Sequence, residues 1–127
     1  MIVLDKTTIQ LMGILGLNVT TQPMANVSFY DENIQGEDTK LASKQTNFNH
    51  STAVVLCSAP QQNFTRNVET ITFYNANSTD VSTIIYLYES TTSTSTNLAN
   101  ICLKTLETGG YEEGFGFYAT TSTGARK

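Results

Sequence analysis

The sequence predicts an all-β fold: an antiparallel two-sheet β-sandwich with an N-terminal arm, for which a jelly-roll topology is one fit. Three observations point there. Ser and Thr make up about a quarter of the 127 residues and Asn is frequent; Thr suits strands, Ser and Asn suit turns. Long Ala/Glu/Lys/Leu stretches are missing, and no segment carries a convincing 3.6-residue apolar stripe. Short apolar or alternating runs recur between turn clusters, as in sandwiches and barrels.

Residues 1–12 are expected to be an arm or a first strand, 13–120 the sandwich, and 121–127 a polar, mobile tail. Ile2, Val3, Leu4, Ile9, Leu11 and Met12 are apolar yet precede the compact pattern. They fit either the first core strand or an arm laid on a neighbouring subunit by strand addition. Thr8 to Ile14 reads as a strand, which Leu17 to Thr21 continues after Gly16. Ala25 to Tyr30 follows Pro23, and Asp31 to Lys40 reads as a polar loop. Ser43 to Phe48 is a weak strand and Thr52 to Ser58 a strong one. Ala59 to Thr65 reads as a loop because it holds Pro60.

The second half alternates more clearly. Val68 to Asn75 places Ile71 and Phe73 on one face. Asn75 to Asp80 is a turn cluster. Val81 to Glu89 is dense in β-branched and aromatic residues. Ser90 to Thr96 reads as an exposed loop. Leu98 to Leu106 has a weak helical alternative, but its β-rich surroundings decide for strand. Glu107 to Gly110 is expected to turn the chain into a final strand, Tyr111 to Thr120, with Phe115, Phe117 and Ala119 on one face.

Charged residues are 14% of the chain, against roughly 25% in a typical domain. The net charge is −4 and the seven basic residues are scattered, Arg126 and Lys127 forming only a terminal pair. Nucleic-acid binding is therefore disfavoured, since phosphate contacts need clustered Lys and Arg. A surface poor in Lys and Glu suits burial in protein contacts. No apolar run approaches the ~18 residues of a membrane span. The first residues do not read as a signal peptide. Synthesis in a cytoplasm is expected, with Cys57 and Cys102 as reduced buried thiols; a disulfide is the alternative. The sequons at Asn18, Asn26, Asn49, Asn63 and Asn77 then read as chance products of an Asn- and Thr-rich chain.

The search for chemistry yields no catalytic set, no metal site and no cofactor motif. His50 is the only histidine and lies in a polar turn. Zinc usually needs three or four His or Cys ligands. Gly109 to Gly116 is glycine-rich but lacks the Lys-Ser/Thr end of a phosphate loop. Glu112 and Glu113 are adjacent, so on a strand they point to opposite faces and cannot work as a paired acid and base. Asp31, Asn33, Gln35 and Gly36 fit the first positions of a calcium loop, but its twelfth position is Ala42. A looser cation site of Asp31, Glu32, Glu37 and Asp38 is an alternative to a solvated acidic loop. Tyr86 and Tyr88 share one strand face opposite Ile85 and Leu87. They suit a subunit contact, ordinary packing or a sugar platform.

Three blocks carry a resemblance. Val68-Glu-Thr-Ile-Thr-Phe-Tyr-Asn-Ala-Asn77, Thr83-Ile-Ile-Tyr-Leu-Tyr88 and Leu106-Glu-Thr-Gly-Gly-Tyr-Glu-Glu-Gly-Phe-Gly-Phe117 resemble the central strand, partner strand and closing segment of small bacteriophage virion proteins. Asp5 to Leu11 and Ala53 to Pro60 are similar too. The closing turn has Gly109-Gly110-Tyr111 where that pattern has Gly-Glu, and the Ser90 to Thr96 loop is long for it. The resemblance implies a non-enzymatic structural protein of the virion, made in the host bacterial cytoplasm. A capsid decoration or cement protein that binds the shell is the first expectation; a tail- or fibre-associated, host-surface-binding protein is the alternative. Its expected partners are the major capsid protein or other virion proteins and further copies of itself, as a trimer, with no nucleic acid and no membrane. The candidate contact residues are Ile2, Val3, Leu4, Ile9, Leu11, Tyr86 and Tyr88.

Overall fold

A computed structural model of the chain describes residues 1–33, 35 and 39–126. Among them there is no helix; ten strands form two antiparallel sheets that enclose one core. The strands are β1 (Ile2–Leu4), β2 (Ile9–Leu15), β3 (Met24–Asn33), β4 (Thr39–Asn47), β5 (Val54–Cys57), β6 (Phe64–Tyr74), β7 (Val81–Glu89), β8 (Thr94–Leu103), β9 (Thr108–Glu112) and β10 (Gly116–Thr120). The first sheet runs β10-β9-β6-β3-β4, with β1 also on β6; the second runs β5-β2-β7-β8. β3–β4, β7–β8 and β9–β10 are hairpins within a sheet, and every other connection crosses between sheets. This strand order, rather than a jelly-roll label, positions the surfaces described below.

In this chain the amino-terminal residues form a core strand. Ile2, Val3 and Leu4 pair with Val68, Asn67 and Arg66 of β6. Farther along β6, Thr70 to Tyr74 pair with β9. β1 and β9 therefore share one side of β6, end to end. Tyr111 joins them: the Ile2 amide donates to its Oη at 3.0 Å. Ile2, Leu4 and Leu11 are buried with Phe48, Leu56, Ile71, Phe73, Ile85 and Leu103 between the sheets.

Several boundaries differ from the sequence reading. Leu17 to Thr21 is not a strand. β3 runs on to Asn33 and β4 starts at Thr39, so the polar loop is shorter than expected. Glu107 to Gly110 is no simple turn, since β9 starts at Thr108. The single final strand is instead the β9–β10 hairpin, reversed where Gly114 and Gly116 have φ of +85° and +107°. Phe115 lies in that turn, 63% exposed, not on the inward face with Phe117. β8 begins at Thr94, inside the predicted loop.

The segment expected to be a mobile tail turns back on the hairpin. Thr120 bridges to Arg126, whose guanidinium contacts Glu112 at 3.1 Å and stacks over the Phe115 and Tyr118 rings. Lys127 lies outside the described residues.

Two polar clusters hold the ends of the sandwich. At one, the buried Asn75 amide donates to the carbonyls of Thr79 and Leu103, and its Oδ1 accepts from the Asn77 backbone at 2.9 Å. Asn77 in turn exchanges two hydrogen bonds with the Thr21 backbone. Buried amides so satisfied fix loop geometry, because an orphaned group there costs on the order of 1–3 kcal/mol. At the other, Arg66 grips both oxygens of Asp31 at 2.7 and 2.8 Å, donates to the Ser58 carbonyl and lies over the Phe29 ring.

Candidate functional site

The outward face of the β5-β2-β7-β8 sheet follows from its register. Leu11, Gly13 and Leu15 of β2 and Val81, Thr83 and Ile85 of β7 point inward and are buried. The residues between them must point outward. Cross-strand pairing then sets three rungs on the outer surface. Val55, Met12, Tyr86 and Asn97 form one. Ile14, Ile84 and Asn100 form the next, and Gln10, Tyr88 and Ser95 a third. Ser82 and Cys102 extend the face at one end.

The apolar members of these rungs are half-buried, leaning on one another across the strands. An outward sheet face normally alternates to polar residues. Here Met12, Ile14, Val55, Ile84, Tyr86 and Tyr88 hold the middle of it instead. Within the four strands the only charged residue is Glu89, at the end of β7. Hydrogen bonds from Thr8 and then Thr91 hold its carboxyl below the usual carboxylate range. The face can thus be desolvated without stripping water from an ionised group, which is the costly step in burying a surface.

The opposite sheet differs. Its outer rungs are polar: Ser43, Ser28 and Thr70 in one, Gln45, Asn26 and Thr72 in the next. Ser28 and Thr70 hydroxyls lie 2.6 Å apart. Acids gather around Tyr30, whose phenol is pushed up by burial and then by Glu113, Glu32 and Glu69. Among the described residues the charge therefore lies mostly on this sheet and in the loops; Lys44 of β4 reaches the β5 edge of the other sheet, where its Nζ donates to the Val55 carbonyl at 3.3 Å.

The sequence-predicted contact residues divide on this geometry. Tyr86 and Tyr88 stand on the outward, charge-free face. Val3 and Ile9 are half-buried. Ile2, Leu4 and Leu11 are at most 5% exposed and belong to the chain's own core, so their side chains are not surface in this fold. Ile14, Val55 and Ile84 were not singled out, and Met12 was read only as part of the amino-terminal arm. The signal was present: Leu11 to Leu15 and Thr83 to Tyr88 are apolar on both alternations, not one.

Both oxygens of Asp31 are taken by Arg66, so Asp31 is occupied as a cation ligand; Gly36, Glu37 and Asp38 of the expected loop lie outside the described residues. His50 is exposed in its loop. Among the described residues no three His, Cys, Asp or Glu side chains group to hold a metal, and no helix is long and apolar enough to cross a membrane.

The cysteines correct the expectation that both are buried. Cys57 is buried in β5, while Cys102 is exposed in β8. β5 and β8 are opposite edges of a four-stranded sheet. Three strand spacings of about 4.8 Å separate them, well beyond disulfide reach. Burial pushes the Cys57 thiol up to about 11, against the lowering influence of Arg66. The native protein is expected to release one equivalent of thiol to a disulfide reagent at neutral pH, from Cys102, and the second only on unfolding. Two fast equivalents from the native state would contradict the placement of Cys57.

No family model, curated protein or solved structure matches the chain.

Proposed function

We propose that the protein is a non-enzymatic structural subunit of a bacteriophage particle, a decoration or cement protein that docks on the capsid shell through the outer face of its β5-β2-β7-β8 sheet. The observation that carries this reading is the charge-free apolar surface built from Met12, Ile14, Val55, Ile84, Tyr86 and Tyr88. Interface centres are depleted in charge and enriched in Tyr and Met. The sheet behind the surface is packed on a full core, so docking would order few side chains. Many weak copies on a lattice hold through avidity rather than through one tight contact. The resemblance of the β6, β7 and β9–β10 segments to phage virion proteins supports the same reading.

The tail- or fibre-associated alternative draws on the other sheet. There Tyr30 stands among Glu32, Glu69 and Glu113, an aromatic ring beside carboxylates of the kind that can hold a sugar.

Particle binding distinguishes the two faces. Purified chain is mixed with particles lacking it and sedimented. The pair Met12→Lys and Ile84→Lys is expected to weaken co-sedimentation at least about tenfold, since two buried ammoniums would go unpaired. Ser43→Lys, on the opposite sheet, is expected to leave it unchanged. A folded double-lysine variant that binds as well as the parent would remove this face from the account.

A further inference from the structure

A β-sandwich must deal with the open edges of its sheets, because an unpaired strand edge is a template for another chain. Five strands pair on one side only, and four of them are blunted; β1 is just three residues long. β4 carries Lys40 and Lys44 along its length. β5 is four residues long, and its Val55 carbonyl accepts from Lys44 Nζ and Thr46 Oγ1 at 3.3 and 3.4 Å. β10 is five residues long, and the returning carboxy-terminal segment bridges Thr120 to Arg126 beside it.

The fifth, β8, is the least protected: it is neither short nor lysine-bearing nor covered by a returning segment, and its one irregularity is the bulge at Leu98, opposite Ile85 and Tyr86 of β7. Thr94-Ser-Thr-Asn-Leu-Ala-Asn-Ile-Cys-Leu103 is ten residues without Lys, Arg, Asp, Glu, Pro or Gly. Among the described residues, its backbone makes no backbone hydrogen bond outside its ladder with β7. It also borders the charge-free outer face, to which it contributes Asn97 and Asn100.

We infer that β8 pairs antiparallel with β8 of a second copy, joining two β5-β2-β7-β8 sheets into one eight-stranded sheet about a two-fold axis. A second copy is the occupant the charges favour. In a two-fold interface each patch meets itself, so any charge near the axis meets its like. β8 and the face beside it carry no charge to repel, and equally none to attract a partner of opposite sign. The product is continuous with the docking face: two copies would present one apolar surface of double width. The pairing does not depend on the phage reading, because it concerns the chain alone in solution.

Sedimentation equilibrium over a dilution series, with the thiols kept reduced, tests this. The parent chain is expected to show a monomer–dimer equilibrium. Asn97→Lys with Asn100→Lys, both exposed on β8, is expected to raise the dimer dissociation constant at least about tenfold by setting ammoniums against their copies. Ala42→Lys, exposed on the already lysine-bearing β4, is expected to leave it unchanged, and unfolding midpoints near that of the parent show each variant folded. A parent that stays monomeric throughout the series, forms trimers, or dimerises equally well with the two β8 lysines overturns the inference. Because particle binding is measured separately, either proposal can fail without the other.

Discussion

Replacing Phe48 by alanine is expected to cost about 3–5 kcal/mol, the range for a fully buried Phe removed from a packed core. Phe48 has no exposed surface, although it lies outside any strand, between β4 and β5. Its backbone is fixed by a hydrogen bond from its amide to the Pro23 carbonyl at 2.9 Å. Its ring meets Phe73 edge to face, with centroids 5.2 Å apart. The ring reaches from one sheet to the other, and β2 makes room for it: a Cβ on Gly13 would fall 2.5 Å from the Phe48 ring. The truncation therefore empties the contact zone between the sheets, and the rigid strands around it have little freedom to close in. Against a total of roughly 5–15 kcal/mol for a domain, the loss is a large share. Urea unfolding measures it as a lowered midpoint with an unchanged slope. A cost under about 1 kcal/mol would mean that Phe48 is not the pin between the sheets.

Gly110→Ala is expected to be comparably severe, on the order of 3 kcal/mol or more, for a different reason. Gly110 sits mid-strand in β9, opposite Thr72 of β6 and Tyr118 of β10. A methyl group there would overlap the Ile71 carbonyl oxygen, which is backbone and cannot rotate away. β9 would have to leave β6 and carry β10 and the Arg126 clasp with it. Gly114→Ala is the control: it lies at φ +85° in the hairpin turn with open space around it. Only the left-handed backbone penalty applies there, about 1 kcal/mol. Thermal unfolding of the two variants side by side should show a large drop for Gly110→Ala and a small one for Gly114→Ala. Equal drops would contradict the close approach of β6 and β9.

The fold class was legible because alternation and turn residues are local signals. β3 and β6 appear where apolar residues alternate, and β2 and β7 where apolar, β-branched and aromatic residues are dense. The misreadings have local causes too. The alternation of Phe115, Phe117 and Ala119 runs through the β9–β10 turn, so the hairpin read as one strand. Thr94 to Asn97 are exposed on both faces, beyond the core, so burial gave no period to read. Asn75 and Asn77 looked like turn residues and are turn residues, but their burial depends on Thr21 and Leu103, which are distant in sequence. Tyr86 and Tyr88 were legible as outward aromatics. Their apolar neighbours stand in runs that are apolar on both alternations, but that Met12 and Ile14 join the tyrosines on one surface follows only from the β2–β7 pairing. A surface that spans strands is a property of register, which no single segment carries.

The account rests on the assignment of the charge-free face to a shell of other proteins. Imaging purified particles by cryo-electron microscopy and fitting this sandwich into the density tests it most directly. The account predicts density for the chain in many copies over the capsid lattice, with Met12, Ile84 and Tyr86 turned into the contact and the polar sheet of Ser28 and Thr70 turned to solvent. Density confined to the tail, no density for the chain, or a capsid contact made by the polar sheet while Met12, Ile84 and Tyr86 face water would contradict it.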